Sequence, residues 1–272
     1  MIFKASDIYQ WKAWISELQN ARNQSDIGPL TYWPFESFSP KRRHNDVTFY
    51  VDGEGYFEWV EQEIRNAQKS IYITDWWLSP ELYLTRPATY TNETGSEPNR
   101  LDHLLKVKAD QGVKVYILVY KEVTFSGLYN NSQHVLTMFD HPNIHAMRHP
   151  RTVICFWSHH EKMVCVDQQV GCMGGLDLCY GWWDTNEHPL KDIGVNGKYL
   201  FPGIDYSNSR TNDFKDTTLL EPPLIDRNSH PRMPWHDIAM CIYGQAAEDL
   251  ARHFIEYWNF ARLKEVEQED ET

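Results

Sequence analysis

The chain lacks any apolar run near the roughly 20 residues that a membrane-spanning helix needs. Its first residues also lack the continuous apolar core of a secretory signal, carrying charges at Lys4, Asp7, Lys12 and Glu17. A soluble or peripheral protein is expected. None of the five cysteines (155, 165, 172, 179 and 241) forms a Cys-x2-Cys pair, so no zinc-type spacing is present. Their odd number and mostly apolar surroundings fit free, buried thiols in the reducing cytoplasm. Positive charge is scarce: 26 Lys and Arg against 38 Asp and Glu give a formal net charge of −12. Nucleic-acid binding depends on clustered cations that neutralise phosphates, so no nucleic-acid partner is expected. The same balance gives no general attraction to an anionic bilayer, and membrane contact has to be local. The compact basic run Lys41-Arg42-Arg43-His44 reads as a solvated loop. Disorder is excluded, because 42% hydrophobic and 14% aromatic residues suffice for a packed core.

What is present is a concentrated motif, His159-His160-Glu161-Lys162-Met163-Val164-Cys165-Val166-Asp167, followed by Gly174-Gly175-Leu176-Asp177. In an extended chain residues i and i+2 share a face, so the His160 imidazole and the Lys162 ammonium can reach one phosphate together. Phosphoryl transfer is mostly positioning and electrostatic stabilisation, with histidine able to act as a covalent nucleophile. Alternation points Lys162, Val164 and Val166 one way and Met163, Cys165 and Asp167 the other. Asp167 is therefore expected to brace the strand. Gly174 and Gly175 offer positions without side chains, where backbone can approach a phosphate or another strand closely. With Asp177 they are the expected substrate-binding residues. A single His-x-Lys pair is commonplace, and an isolated strand histidine is more often structural. The full pattern His-x-Lys-x4-Asp-x6-Gly-Gly favours the catalytic reading.

Along the chain, Ile8, Trp11, Ile15 and Leu18 recur at helical spacing after a Ser6/Asp7 cap, which predicts a helix over 6–21. Residues 22–46 read as a linker. Then Phe57, Val60, Ile64 and Ala67 predict a helix, 70–77 a strand, and Leu101, Leu104 and Leu105 a second helix that stops at Gly112. Residues 113–120 are apolar on both faces, as in a strand buried inside a sheet. Further strands are expected at 144–148, 152–157, 162–167, 170–173 and 238–243, the last followed by a long helix with Ala247, Leu250, Ala251, Phe254, Ile255 and Trp258 on one face. Segments 84–100 and 186–230 read as surface loops. Helices alternating with buried strands give an α/β protein, an α/β/α sandwich on a mixed central sheet. The expected divisions are 1–46 (helix and linker), 47–264 (one large domain) and 265–272 (a frayed acidic tail).

The motif resembles the HKD motif of the phospholipase D superfamily. Residues 73–81, 120–123, Met147-Arg148-His149-Pro150, Pro231-Arg232-Met233-Pro234-Trp235, Leu250-Ala251-Arg252-His253-Phe254-Ile255 and Trp258-Asn259-Phe260 look like the eukaryotic phosphatidylcholine-hydrolysing branch, from about residue 47 to about 263. That branch carries two HKD motifs, whose histidines face each other across the site. A second one is absent from this sequence. The resemblance implies one lobe of a bilobal fold, needing a second HKD lobe from a longer chain or a homodimer. It implies a phospholipid substrate at a membrane surface, and no cofactor or metal. It also implies His160 as nucleophile, Lys162 on the phosphate, and Asp237 holding the second ring N–H of His160, with Asp192 a weaker candidate for that task. The N-terminal helix is then either the tail of a pleckstrin-homology domain or a packing helix. Relatives read Tyr-Gly-Arg-Trp-Asp where this chain has Tyr180-Gly181-Trp182-Trp183-Asp184, so an anion-holding arginine is replaced by an indole. The alternatives are a non-catalytic lipid-binding or scaffold relative, and a single-motif homodimeric phosphodiesterase or nuclease.

Overall fold

Val115, Ile117, Leu118 and Val119 are all buried, which places their strand, β3 (Lys114–Val119), inside a sheet. Its neighbours β2 (Ser70–Asp75) and β4 (Ile144–Arg148) run parallel to it. Parallel neighbours need crossover connections, and here α3 (Leu101–Asp110) and α4 (Ser132–Met138) lie in them. The computed structural model describes residues 7–24, 39–86, 99–122, 132–150, 158–194, 199–208 and 225–270. The expected strand at 152–157, Cys155, and residues 87–98, 195–198 and 209–224 of the two long loops lie outside these.

Two units divide the chain, Met1–His44 and Asn45–Thr272. In the first, α1 (Ile8–Gln24) starts at Asp7, whose Oδ1 accepts the Tyr9 and Gln10 amides at 2.9 and 2.8 Å, the bonds of an N-cap.

In the second unit one seven-stranded sheet runs β1-β7-β6-β5-β2-β3-β4. The half beyond β2 is antiparallel: β5 (Met163–Val166), β6 (Val170–Gly174), β7 (Ile238–Tyr243) and β1 (Asp46–Val51). Asp167 and Gln168 both adopt positive φ (54° and 60°), the backbone that a tight turn between right-twisted strands requires. That turn fixes the β5–β6 register in which Val164 faces Cys172.

Side-chain alternation sorts the sheet into two faces. Ile71, Ile73, Val164 and Val166 pack with Phe57 and Val60 of α2 (Gly53–Asn66) and Leu104 and Leu105 of α3. Tyr72, Met163 and Cys165 pack with Ala251, Phe254 and Ala261 of α5 (Gln245–Asp270). This is the expected α/β/α sandwich with a mixed sheet.

The structure departs from expectation at four places. β1 was not foreseen, because Val47, Phe49 and Val51 alternate correctly yet remain exposed at the sheet edge. The short helix α4 carried too little periodicity to read. The α5 backbone continues past Lys264 to Asp270 instead of fraying. Finally, Cys172 and Cys241 face each other in register across β6 and β7 and form a disulfide, where free thiols were expected. Sequence spacing could not show that two strands from distant parts of the chain would put them side by side. Cys165 and Cys179 are free and buried.

Candidate active site

Lys162 precedes β5 on the face that Val164 and Val166 share, and is buried with them. A lone buried ammonium is costly, and burying it demands a counter-charge and hydrogen-bond acceptors. Both are supplied. Its Nζ lies 3.2 Å from Asp177 Oδ2 in an ion pair, donates to the His160 carbonyl at 3.2 Å, and approaches His160 Nδ1 at 3.3 Å. It also sits 5.8 Å above the Trp76 ring.

Asp177 is fully buried behind Lys162, and its Oδ1 accepts the Trp76 and Trp77 amides at 3.0 and 3.1 Å. Expected at the substrate, it instead forms the floor beneath Lys162, because the turn after β6 carries it inward. Asp75, at the end of β2, lies against it and was missed by sequence reasoning. The available signal was a carboxylate closing the strand Ser70-Ile71-Tyr72-Ile73-Thr74-Asp75, every residue of which is buried. Burial, and then the charge of Asp177, push the Asp75 carboxyl well above its ordinary value, partly opposed by Lys162. Burial also raises Asp177, with Lys162 opposing. Like charges so close cannot both ionise. Of the two, Asp75 is pushed further toward holding a proton, and Lys162 favours the charge on Asp177.

His160 is exposed, its ring 5.5 Å from Trp76. The residues on either side of it are pinned from behind by α5. His159 Nδ1 pairs with the Tyr257 hydroxyl at 2.8 Å, and Glu161 binds His253 Nε2 at 2.7 Å and the Thr74 hydroxyl at 3.2 Å. Burial, reinforced by His149, lowers His159 to about 3, so it is neutral. Burial acts to raise Glu161, but the His253 hydrogen bond and charge outweigh it and leave the carboxyl below its usual range. His253 is raised in turn, chiefly by that hydrogen bond.

Gly174 N donates to Lys162 O at 3.4 Å and Gly175 N to Ile238 O at 3.0 Å, so residues 160–162, 174–175 and 237–238 meet at one end of the inner strands β5, β6 and β7. The two glycines serve strand approach. A β-carbon on Gly174 would overlap the Ile238 carbonyl and Ala239, and one on Gly175 would overlap the Asp237 carboxylate. Of the two close approaches expected of them, to a phosphate or to another strand, the second is seen here: their missing side chains admit β7. Asp237 is thus brought to the rim, but its Oδ1 accepts the adjacent Ile238 amide at 2.8 Å. Among the described residues it makes no hydrogen bond to His160, whose Nδ1 faces Lys162. Asp167 lies at the far end of β5, where its carboxylate accepts the Gln68, Lys69 and Ser70 amides at 2.7–2.9 Å and ties the hairpin to the start of β2. Asp192 accepts the Gly194 and Phe201 amides, holding a loop. Trp182 stacks on Trp235 at 4.1 Å and meets Trp77 edge-on, so the indole that stands for an arginine is a packing residue.

A family model described as Phospholipase D matches residues 63–271. Phospholipase D2 of Bos taurus is 39% identical over 287 residues, covering 96% of this chain and 30% of that protein. Phospholipase D1 of Saccharomyces cerevisiae is 42% identical over 234 residues, covering 83% of this chain and 13% of that protein. Phospholipase D zeta 1 of Arabidopsis thaliana is 38% identical over 278 residues, covering 98% and 24%. The chain thus spans less than a third of the length of these relatives.

Proposed function

Because the chain belongs to the phospholipase D family, we propose that it supplies the first half of a phosphodiesterase site that cleaves phosphatidylcholine to phosphatidic acid and choline. The observation that carries this reading is an exposed imidazole, His160, 3.3 Å from a buried ammonium, Lys162. A ring nitrogen of His160 attacks phosphorus, forming an N–P bond as the P–O bond to choline breaks. The electron pair leaves on the choline oxygen, which takes up a proton. Water then attacks the phosphohistidine, loses a proton and restores the imidazole. Lys162 stabilises charge on the non-bridging oxygens.

Two features support a site that is incomplete in this chain. An ammonium has three N–H donors; Lys162 directs two at His160 O and His160 Nδ1, and faces Asp177 Oδ2 at ion-pair distance without a hydrogen bond. An ammonium can only donate, so Nδ1 is the acceptor and the neutral ring holds its proton on Nε2. An Nε2 nucleophile needs the opposite tautomer, with Nδ1–H given to a carboxylate. Turning His160 from Lys162 toward Asp237 meets both needs, freeing one Lys162 donor for phosphate and orienting the ring. The proton for choline comes from the histidine of a second HKD lobe, and losing such an acid costs about 10² to 10⁴ in rate. Val47, Phe49, Val51 and Ile238, exposed on one face of the sheet edge beside Asp237, fit the docking of that lobe. Among the described residues no helix is long and apolar enough to cross a membrane, and a peripheral association with the lipid surface fits the substrate.

A nitrophenyl phosphodiester tests this, because nitrophenolate leaves without a proton. The full chain should give a slow stoichiometric burst that His160→Ala abolishes, with choline release from phosphatidylcholine vesicles near zero. Robust choline release by the chain alone would refute the half-site, and absence of the burst would refute the nucleophile. A non-catalytic lipid-binding role is the second reading, favoured by the burial of Lys162 against Asp177 and His160. Vesicle binding without a burst would point to it.

A further inference from the structure

At the start of α2, Asp52 occupies the N-cap position but makes no capping hydrogen bond with its side chain. Its carboxylate is buried and turned instead toward two imidazoles. His236 Nδ1 lies 2.7 Å from Asp52 Oδ1, and His188 Nε2 lies 3.4 Å from Asp52 Oδ2. One donor atom from each residue falls within 4.8 Å of the other two. The phosphodiesterase site uses none of these three side chains.

From this constellation we infer that Asp52, His188 and His236 form a binding site for a divalent first-row transition ion of the zinc class. Two imidazoles and one carboxylate are a borderline nitrogen and oxygen set, suited to zinc and its neighbours and poor in the oxygens that calcium or magnesium requires. Donor atoms on one tetrahedral zinc lie about 3.3 Å apart, close to the His188–Asp52 separation. On the far side of the His188 ring, Nδ1 lies 3.3 Å from Asp184 Oδ2 at ion-pair distance but without a hydrogen bond, so this buried ring nitrogen has a carboxylate beside it and no hydrogen-bond partner among the described residues. Asp184 is itself fixed by Arg232, at 2.8 and 3.2 Å, and by the Trp235 amide at 2.9 Å. Asp52 and His188 both hold positive φ (67° and 47°), a backbone that costs non-glycine residues of order 1–3 kcal/mol and persists where the surroundings impose it. Most of the His236 side chain is exposed, leaving one side of the site open to water as a further ligand. Sequence spacing hid the set, because its members come from the β1–α2 turn, the loop after Asp184 and the segment before β7. An ion there ties those three segments together, and the Asp52 amide already donates to the carbonyl of Asp237 at 2.8 Å. The site therefore anchors the backbone of the carboxylate at the rim of the phosphodiesterase site.

The experiment is a titration of tag-free full chain, stripped with chelator, with zinc chloride by calorimetry and thermal unfolding, and with cobalt(II) by visible absorption. Wild type should bind one equivalent at micromolar concentration, unfold at higher temperature with zinc, and give the intense visible bands of low-coordinate cobalt. His236→Ala removes an exposed ligand without disturbing packing and should weaken binding by at least about tenfold. Asp52→Asn should do the same, and His160→Ala should leave binding unchanged. No saturable binding in wild type would overturn the proposal. So would binding unchanged in His236→Ala and Asp52→Asn, or binding lost in His160→Ala. None of these readouts depends on turnover, so they stand apart from the catalytic reading.

Discussion

At the floor of the site, Lys162, Asp177 and Asp75 are buried together with their amide donors, and the Lys162 ammonium has its counter-charge in Asp177. At the rim, His160 faces solvent with Nδ1 toward a donor, and Asp237 is spent on its own neighbour's amide. The floor forms from local strand geometry: β2 ends at Asp75, β5 begins after Lys162, and the turn after β6 returns Asp177 between them. The rim needs a ring rotation and a second lobe that supplies the opposing acid. Folding and chemistry therefore load different residues of one motif, and mutation should separate them.

The largest effect belongs to the floor. Asp177→Ala leaves the Lys162 ammonium buried without its counter-charge and should cost about 3–5 kcal/mol of stability, read as a fall in denaturant midpoint. An unchanged midpoint would mean that Lys162 is not held by this pair. Asp75 gives a pH signature of the same region. Its folded pKa is raised, so its contribution to stability is fully present below the ordinary carboxyl value of about 3.9 and is lost as pH climbs from there through the folded value. Asp75→Asn should match wild type near pH 4 and then gain on it by up to about 1.4 kcal/mol per pH unit. Parallel stability curves would show that Asp75 is ionised.

Behind the rim the effects shrink. His253 is raised by Glu161, so that pair stabilises below about pH 6.5 and fades as pH rises through the folded pKa of His253. His253 is partly exposed, so solvent screening holds the effect of Glu161→Gln below about 1 kcal/mol, visible as a smaller stability difference between mildly acidic and alkaline urea melts. Loss of more than this would transfer Glu161 to the floor. At the rim itself, His160→Ala should change stability by no more than about 0.5 kcal/mol while abolishing the nitrophenolate burst. A substantially destabilised variant would erase the distinction between the regions.

The same division explains what sequence made legible. The strands of the motif and the long apolar face of α5 were readable because period-2 and period-3.6 patterns are local. Lys162, Asp167 and the glycines were found by spacing, although burial reassigns Asp177 to the floor and strand approach accounts for the glycines. Glu161–His253, His159–Tyr257, Cys172–Cys241 and the Asp52 cluster join positions 69 to 184 residues apart. No local pattern encodes such pairings. β1 escaped because its apolar residues point outward, against the rule that links hydrophobicity to burial.

Nitrogen-15 NMR of the His160 ring in the isolated chain at neutral pH tests the central claim most directly. The account predicts a neutral ring protonated on Nε2, with Nδ1 accepting from Lys162. A ring protonated on Nδ1 and hydrogen-bonded to the Asp237 carboxylate would contradict it, because the nucleophile would then be oriented without a second lobe.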